Sequence, residues 1–174
     1  MSKKESVKYI MLLLILISGC SSDLKTKEIA QYKLRYQPIE VINDVFELCY
    51  VENHAIAFSM LNGIKRGIRM PIIYLLTISS SLFMVFVIWK LRTSKFILLL
   101  PWFIILSGAL GNIIDRIQHG FVIDFLRFHY KASYSFPVFN LADVLINVGL
   151  LLFLIQYRKY RNLLFPHNHE LDNA

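Results

Sequence analysis

Two aspartates, Asp124 and Asp143, are the residues of this sequence best suited to chemistry, because both border segments apolar enough to enter a membrane. An ionised group at membrane depth is costly, so an ionisable residue there is a functional candidate by default. Two carboxyl groups held close in a partly dry site cannot both ionise cheaply, so the pair shares a proton near neutral pH. One acid can then take a proton from water while the other bonds an amide carbonyl, which is the chemistry of peptide hydrolysis. Titration belongs to the pair, so neither acid is given a fixed role.

Amide side chains and an arginine accompany the acids at helical spacing. The first group follows at four-residue intervals and lines the end of one predicted helix: Gly108, Asn112 and Arg116. The second group lies within an arc of about 80 degrees on the next predicted helix: Asn140, Asp143 and Asn147. Because exposed amides and carboxylates would go unsatisfied in hydrocarbon, we expect the two polar faces to meet.

A hydrogen-bond cluster that merely holds the helices together is the structural alternative to a catalytic site, and asparagines alone would fit it. The presence of both acids favours the catalytic interpretation. Asp115 is a competing acid, but the adjacent guanidinium of Arg116 favours a permanently ionised partner role for it.

The composition predicts the elements that position these residues. The chain has 174 residues, of which 56% are hydrophobic, and this lies outside the usual composition of soluble proteins. Three stretches are long enough to cross a bilayer core of about 30 Å: residues 68–89, 96–114 and 138–157. With residues 8–22 as a shorter first segment, the chain is predicted to be an all-α polytopic membrane protein. It has four transmembrane helices in one domain, residues 1–174.

The first apolar segment allows two interpretations. Lysines at positions 3, 4 and 8 precede a short apolar core, and small residues stand before Cys20. That pattern describes a bacterial lipoprotein signal peptide with Cys20 as the lipidated residue. A retained first helix has the same charges and the same apolar core, and the sequence after Cys20 favours retention.

A small extracytoplasmic β-sheet is predicted over residues 28–62. Residues 31–36 alternate loosely, and residues 45–51 are rich in β-branched and aromatic side chains after the turn signal Asn43-Asp44. A sheet of this size needs support from the membrane surface and the helix ends. Exposed aromatic residues suit that interface: Tyr32, Tyr36, Phe46 and Tyr50.

The distribution of cations predicts the orientation. The net charge is +7, but nearly half of the 19 Lys and Arg lie at the ends of apolar segments and no nucleic-acid-binding motif accompanies them, so nucleic-acid binding is excluded. Basic residues are dense at the N-terminus, in the turn at 90–95 and at the start of the tail, residues 158–174, which places both termini in the cytoplasm. The outer loop, residues 115–137, then lies outside, and the two acids lie near the outer face.

The C-terminal motifs resemble those of a known family. Asn112 with Asp115-Arg116, residues 120–124 and residues 139–143 are similar to two motifs of the bacterial lipoprotein signal peptidases (signal peptidase II), which are four-helix inner-membrane aspartyl proteases. Together these motifs are highly specific, and the resemblance covers nearly the whole chain.

Two N-terminal motifs extend the resemblance. Asp23 with Thr26-Lys27 is similar to the motif at the end of the family's first helix, and this match argues for a retained first helix. Residues 53–58 resemble the family's Asn-x-Gly-x-Ala-Phe motif in the sheet that cradles the substrate. Ala55 stands where that motif has glycine, and Ser107 stands where the family often has a glycine before Gly108.

The resemblance implies cleavage of prolipoproteins just before a diacylglyceryl-modified cysteine, with Asp124 and Asp143 as the catalytic dyad. It also implies residues that position the substrate backbone and its lipid-bearing cysteine: Asn53, Asn112, Arg116 and Asn140. Asp23, Lys27 and Gly108 support the site. No metal or cofactor is expected; the implied partners are lipid-modified prolipoproteins and membrane lipids, and we expect a monomer. The alternative from another class is a non-enzymatic membrane protein, such as a carrier whose acids bind a proton or a cation.

Overall fold

A computed structural model describes residues 2–54, 66–130 and 133–164 of the chain. Within these residues the helices are α1 Lys3–Lys33, α2 Arg66–Lys90, α3 Phe96–His119, α4 Leu141–Ile155 and α5 Tyr157–Leu164. The strands are β1 Ile39–Ile42, β2 Phe46–Asn53, β3 Val122–Tyr130 and β4 Tyr134–Ser135. The fold is mostly helical with a small antiparallel sheet, which confirms that part of the predicted class.

Three helices of the described chain are long and apolar enough to cross a membrane: Lys3–Lys33, Met70–Lys90 and Phe96–His119. The predicted span at 138–157 corresponds to the shorter apolar helix α4, of 15 residues, which ends at Ile155 and has Gln156 as its C-cap. α3 is the central helix. In its most apolar stretch of 18 residues, 67% of the residues are buried inside the protein, against 11% in the corresponding stretches of α1 and α2. It packs against all three other apolar helices.

One apolar cluster holds the helices together at the end where α1 begins. It joins residues of α1, α2, α3, α5 and the turn after α2: Leu12, Val87, Leu91, Leu98, Leu99, Trp102, Phe103 and Tyr160. Tyr160 is 1% exposed and its hydroxyl donates to the carbonyl of Leu98 at 2.7 Å. The hydroxyl and ring of this tyrosine therefore fix α5 against α3.

The sheet caps the other end of the helices in the order β1-β2-β3-β4. β1 and β2 form an antiparallel hairpin, and Asp44 in its turn has a positive φ of 61°. β2 pairs antiparallel with β3 so that Val51 lies opposite Asp124. Ala30 of α1 and Ile123 of β3 belong to the cluster that seats the sheet on α1.

The structure corrects three predicted boundaries. Residues 31–36, predicted as a strand, begin inside α1, which continues to Lys33 because Asp23, Lys27 and Ala30 bury one helical face. The predicted β element therefore starts at Ile39 and not at residue 28, and its part from residue 55 onward lies outside the described residues. The predicted loop 115–137 contains the end of α3 and strands β3 and β4.

Gly120 makes the sharp transition from α3 to β3 possible. Its φ of 78° lies in the left-handed region that residues with a Cβ rarely adopt, and its N–H bonds the carbonyl of Arg116. Because the chain reverses there, β3 returns beside the end of α3 and carries Asp124 to the site.

Candidate active site

Asp124 lies in the middle of the cluster at the junction of sheet and helices. It is 2% exposed, and both of its carboxylate oxygens accept hydrogen bonds from amides. Asn53 Nδ2 donates to Oδ2 at 2.8 Å and Asn140 Nδ2 donates to Oδ1 at 2.6 Å. Burial raises the pKa of Asp124 from an ordinary 3.8 to about 6, with the nearby charge of Asp143 adding to the rise and the Asn53 hydrogen bond opposing it. This carboxyl group can therefore hold or release a proton near neutral pH.

Asp143 is held by the first turn of α4. Asn140 is the N-cap, its Oδ1 accepts from the N–H of Asp143 at 3.0 Å, and the N–H of Asn140 donates to Asp143 Oδ2 at 3.1 Å. This reciprocal capping box satisfies two helix donors and orients the carboxylate. The other oxygen of Asp143, Oδ1, accepts from Asn112 Nδ2 at 3.2 Å.

Asn140 therefore connects the two acids. Its side-chain nitrogen bonds Asp124 and its backbone nitrogen bonds Asp143. The same side-chain nitrogen also donates to Asn112 Oδ1 at 3.2 Å. Asn140 and Asn112 are 0% and 8% exposed, so the amides that orient the two carboxylates are themselves fixed by burial.

A buried group of polar side chains lies behind the acids. We call it the Lys27 layer: Lys27, Asp23, Asp115 and Asn112. The ammonium group of Lys27 reaches three acceptors: Asp23 Oδ2 at 2.7 Å, Asn112 Oδ1 at 2.8 Å and Asp115 Oδ2 at 3.1 Å. The side chains of Lys27, Asp23 and Asp115 are 1%, 0% and 3% exposed. An ammonium group has three protons to donate, so this contact set matches its full capacity.

Each carboxylate that pairs with Lys27 also accepts the backbone N–H of a residue next to a candidate catalytic acid. Asp23 Oδ1 accepts from Ala142 at 2.8 Å, one residue before Asp143. Asp115 Oδ2 accepts from Ile123 at 3.0 Å, one residue before Asp124. The Lys27 layer thus fixes the backbone at both acids, although these lie on different elements.

Two glycines of α3 allow this close packing. A Cβ at Gly108 would lie 2.4 Å from the carbonyl oxygen of Ala142, and a Cβ at Gly111 would lie 2.2 Å from Asp23 Oδ2. These separations are far below normal contact distance. α3 can therefore approach α4 and α1 at this level only because both positions lack a side chain.

Arg116 and Tyr74 complete the described surroundings. Arg116 is 9% exposed, and its guanidinium donates to the carbonyl of Asn112 at 3.2 Å. The hydroxyl of Tyr74, on α2, donates to the carbonyl of Arg116 at 2.7 Å. Among the residues that the structure describes, no three His, Cys, Asp or Glu side chains are grouped so that they could hold a metal ion.

The structure brings the predicted site residues into one cluster: Asp23, Lys27, Asn53, Gly108, Asn112, Arg116, Asp124, Asn140 and Asp143. Their roles in binding and catalysis stay predictions. Asn147 does not join the cluster, because it is exposed and its amide bonds the backbone carbonyl of Asp143. Ala55 lies outside the described residues.

Sequence reasoning missed three contributors to the cluster. Asp115 was given a partner role beside Arg116, but its contacts with Lys27 and with the N–H of Ile123 were not foreseen. Gly111 was missed although it follows Ser107 by four residues, the spacing of small residues that indicates close helix packing. No sequence pattern assigns Tyr74 to the site, because it lies in an apolar helix that was interpreted only as a membrane span.

The sequence is similar to proteins of a single family. Residues 11–159 match the family model described as signal peptidase (SPase) II. A lipoprotein signal peptidase of Clostridium tetani is 39% identical over 146 residues, covering 83% of this chain and 90% of its own length. The lipoprotein signal peptidase of Francisella tularensis subsp. novicida is 33% identical over 149 residues, covering 86% and 90%.

The fold is also similar to solved structures. A bacterial membrane enzyme determined by the in meso method at 2.3 Å resolution has a TM-score of 0.69 and 26% identity, covering 86% of this chain and 88% of that one. A second, at 1.9 Å resolution, has the same TM-score with 25% identity, covering 86% and 93%.

Proposed function

Because this chain belongs to the signal peptidase II family, we propose that it cleaves prolipoproteins just before a diacylglyceryl-modified cysteine, with Asp124 and Asp143 as the catalytic pair. The family makes the chain a protease that removes signal peptides from prolipoproteins. With its apolar helices, it is a multi-pass protein of the bacterial inner membrane. For this chain we propose, in addition, an aspartyl mechanism, the residues that contact the substrate and the topology in the membrane.

The observation that carries the mechanism is the network through Asn140, which bonds both acids. Asp124, with its pKa near 6, and Asp143 share one proton when the site is active. The ionised member takes a proton from a water molecule, and the resulting hydroxide attacks the scissile carbonyl. The protonated member bonds the carbonyl oxygen, and a proton then passes to the leaving nitrogen as the peptide bond breaks.

The amides orient the carboxylates, and the same residues are proposed to contact the substrate. Asn53 and Asn140 hold Asp124, and Asn112 holds Asp143. Arg116, buried beside Asn112, supplies positive charge near the carbonyl at which negative charge develops. We propose that these four residues position the substrate backbone and the lipid-bearing cysteine.

The proposed topology has four spans, with both termini in the cytoplasm and the acids near the outer face. α4 has 15 residues, or about 22 Å of helix, which is short for a bilayer core of about 30 Å. A substrate with acyl chains arrives through the bilayer, and a site at helix ends near the outer face suits this route. We expect the enzyme to work as a monomer without a metal or cofactor.

We also propose that the first helix is retained. α1 runs unbroken through Cys20, and the residues on both sides of that position pack into the fold: Leu12 in the apolar cluster, and Asp23 and Lys27 behind the acids. A cut at Cys20 would separate these contacts. The intact mass of the purified protein tests this point, and a mass matching a chain that starts at Cys20 would contradict it.

Processing of a lipidated prolipoprotein in detergent tests the function. Asp124→Asn and Asp143→Asn remove the proton-transfer groups while keeping their size, and each should lower kcat by at least about a hundredfold. Asp44→Asn is the matched control, because it makes the same change at an exposed carboxylate in the β1–β2 turn, away from the cluster. If both Asp variants cleave as fast as the wild type, the dyad mechanism is wrong.

A further inference from the structure

The last turns of α1 and the residues after them carry an exposed surface that takes no part in the catalytic cluster. We call it the tyrosine face: Lys25, Ile29, Tyr32, Lys33, Arg35 and Tyr36. These residues line an open cavity of about 580 Å³. Tyr32 and Tyr36 are 86% and 92% exposed, whereas Lys27 and Ala30 on the opposite side of the helix are 1% and 2% exposed. The two sides of α1 can therefore be altered separately.

The length of α1 places this face at the edge of the membrane. Its 31 residues make about 46 Å of helix, which exceeds a hydrocarbon core of about 30 Å. The beginning of α1 is tied to the polar turn between α2 and α3, because Lys8 Nζ and Tyr9 Oη both donate to the carbonyl of Arg92, at 2.9 Å and 2.6 Å. About 30 Å from there, the hydrocarbon ends near Ile29, and Tyr32 enters the headgroup layer. Lys25 begins about 6 Å below that level and reaches the headgroups by extending its side chain toward the interface.

The tyrosine face also continues the lipid-exposed side of the helix. Leu14, in the apolar part of α1, is 60% exposed. Tyr32 follows Leu14 by five turns of about 3.6 residues, so both side chains leave the helix in the same direction. Lys25 departs from that direction by only about 20 degrees. The side of α1 that meets lipid chains at Leu14 therefore meets lipid headgroups about 27 Å further along the helix.

The charge of the face selects the kind of headgroup. It carries three cations, and the neighbouring carboxylate of Glu28 pairs with Lys25 at 2.8 Å, with side chains 69% and 66% exposed. Glu28 lines the same cavity, and three cations against one carboxylate leave the face positive. Tyrosines are typical of the membrane interface, and clustered lysine and arginine attract anionic lipids. We infer that the tyrosine face binds the headgroups of anionic phospholipids in the leaflet next to the sheet.

Fluorescence quenching tests this inference without any measurement of peptide cleavage, so its failure is distinguishable from a failure of the proposed function. Tyr32→Trp is introduced into the full chain, which is reconstituted in phosphatidylcholine vesicles containing brominated phosphatidylcholine or brominated phosphatidylglycerol. The signal of Trp89 and Trp102 is subtracted by using the unaltered chain. At low salt, phosphatidylglycerol should quench the tryptophan at position 32 at least about twofold more strongly.

Two triple variants separate this face from general membrane electrostatics. Lys25→Gln, Lys33→Gln and Arg35→Gln together should abolish the preference. The matched control is Lys3→Gln, Lys4→Gln and Lys95→Gln, which removes three exposed cations from the other end of the helices and should preserve it. Raising the salt concentration should weaken the preference by screening.

Three outcomes would overturn the inference. Equal quenching by the two lipids in the otherwise unaltered chain means that the face does not select anionic headgroups. Preserved selectivity in the first triple variant assigns it to other residues. The absence of quenching by either lipid means that the face contacts water or another protein, and not the bilayer.

Discussion

Asn140 Nδ2 donates a 2.6 Å hydrogen bond to Oδ1 of Asp124, although one residue caps a helix and the other lies in a strand. The contact joins the sheet to the start of α4. Because the same asparagine caps the helix that carries Asp143, its amide sets the relative position of the two acids. The separation between the acids therefore depends on a residue that cannot itself transfer protons at neutral pH.

Replacement of Asn140 should separate its two tasks. Asn140→Ser keeps an N-cap oxygen for the N–H of Asp143 but is too short to reach Asp124, so we expect kcat to fall by at least about tenfold with little change in thermal stability. Asn140→Ala removes the cap as well and should lower the free energy of unfolding by about 1 kcal/mol more than Asn140→Ser. Cleavage assays and thermal unfolding in detergent measure the two effects. Equal activity of the serine variant and the wild type would show that the amide contact with Asp124 is dispensable.

The pH dependence of cleavage should reflect the pKa of Asp124. As the pH rises through about 6, Asp124 loses its proton. The pair then carries no shared proton, so kcat/KM should fall on the alkaline side. Asn53→Ala removes a hydrogen bond that stabilises the ionised carboxylate of Asp124 and so raises its pKa. The alkaline decrease of kcat/KM should therefore move to higher pH by about one pH unit. An alkaline decrease of kcat/KM that stays at the same pH in Asn53→Ala, or moves to lower pH, would contradict this role of Asn53.

Stability should depend on the same group. The pKa of Asp124 is higher in the folded protein, about 6, than its ordinary value of 3.8, so the folded state binds the proton more tightly. This contribution is complete below about pH 4 and is lost as the pH rises through about 6, which amounts to about 3 kcal/mol for this buried group. Asp124→Asn should abolish this part of the pH dependence of unfolding in detergent. An unchanged pH profile in Asp124→Asn would exclude Asp124 as its source.

The sequence predicts the membrane helices because long apolar runs have few other structures available to them. Residues 68–89 and 96–114 lie within α2 and α3. The clustering of the amides and acids also follows from local rules, since helical spacing places side chains on one face and hydrocarbon forces polar faces together. The predicted meeting of Asn112 with Asn140 and Asp143 is present in the structure.

Other features depend on contacts between distant parts of the chain. The last residues of α1 were predicted as a strand because residues 31–36 alternate loosely. The continuation of α1 to Lys33 was not visible in the sequence, because its buried face includes Asp23 and Lys27 and so does not appear as a pattern of apolar residues. Their burial depends on Asp115 and Asn112, more than 80 positions later. β3 was missed for a similar reason, since Asp124 is a buried polar residue within a strand whose partner is β2.

Gly111 should be required for activity. A Cβ at this position would lie 2.2 Å from Asp23 Oδ2, so Gly111→Ala must displace the carboxylate that holds the N–H of Ala142. We expect kcat to fall by about tenfold or more, because misplacement near the acids is costly to catalysis. Gly67→Ala is the matched control, since a Cβ there meets no atom of the described residues within 4 Å. If Gly111→Ala is as active as Gly67→Ala, Asp23 does not need its observed position.

Lys27 should contribute to stability through the charge that it neutralises. Lys27→Met leaves Asp23 and Asp115 buried without their cation, which should destabilise the protein by about 3–5 kcal/mol. The triple variant Lys27→Met, Asp23→Asn, Asp115→Asn removes the uncompensated charges, while each new amide oxygen can still accept from Ala142 or Ile123. It should therefore recover most of the lost stability. Unfolding in detergent at neutral pH measures both variants, and a triple variant as unstable as Lys27→Met would show that the ammonium group acts through its shape or its contact with Asn112 and not through its charge.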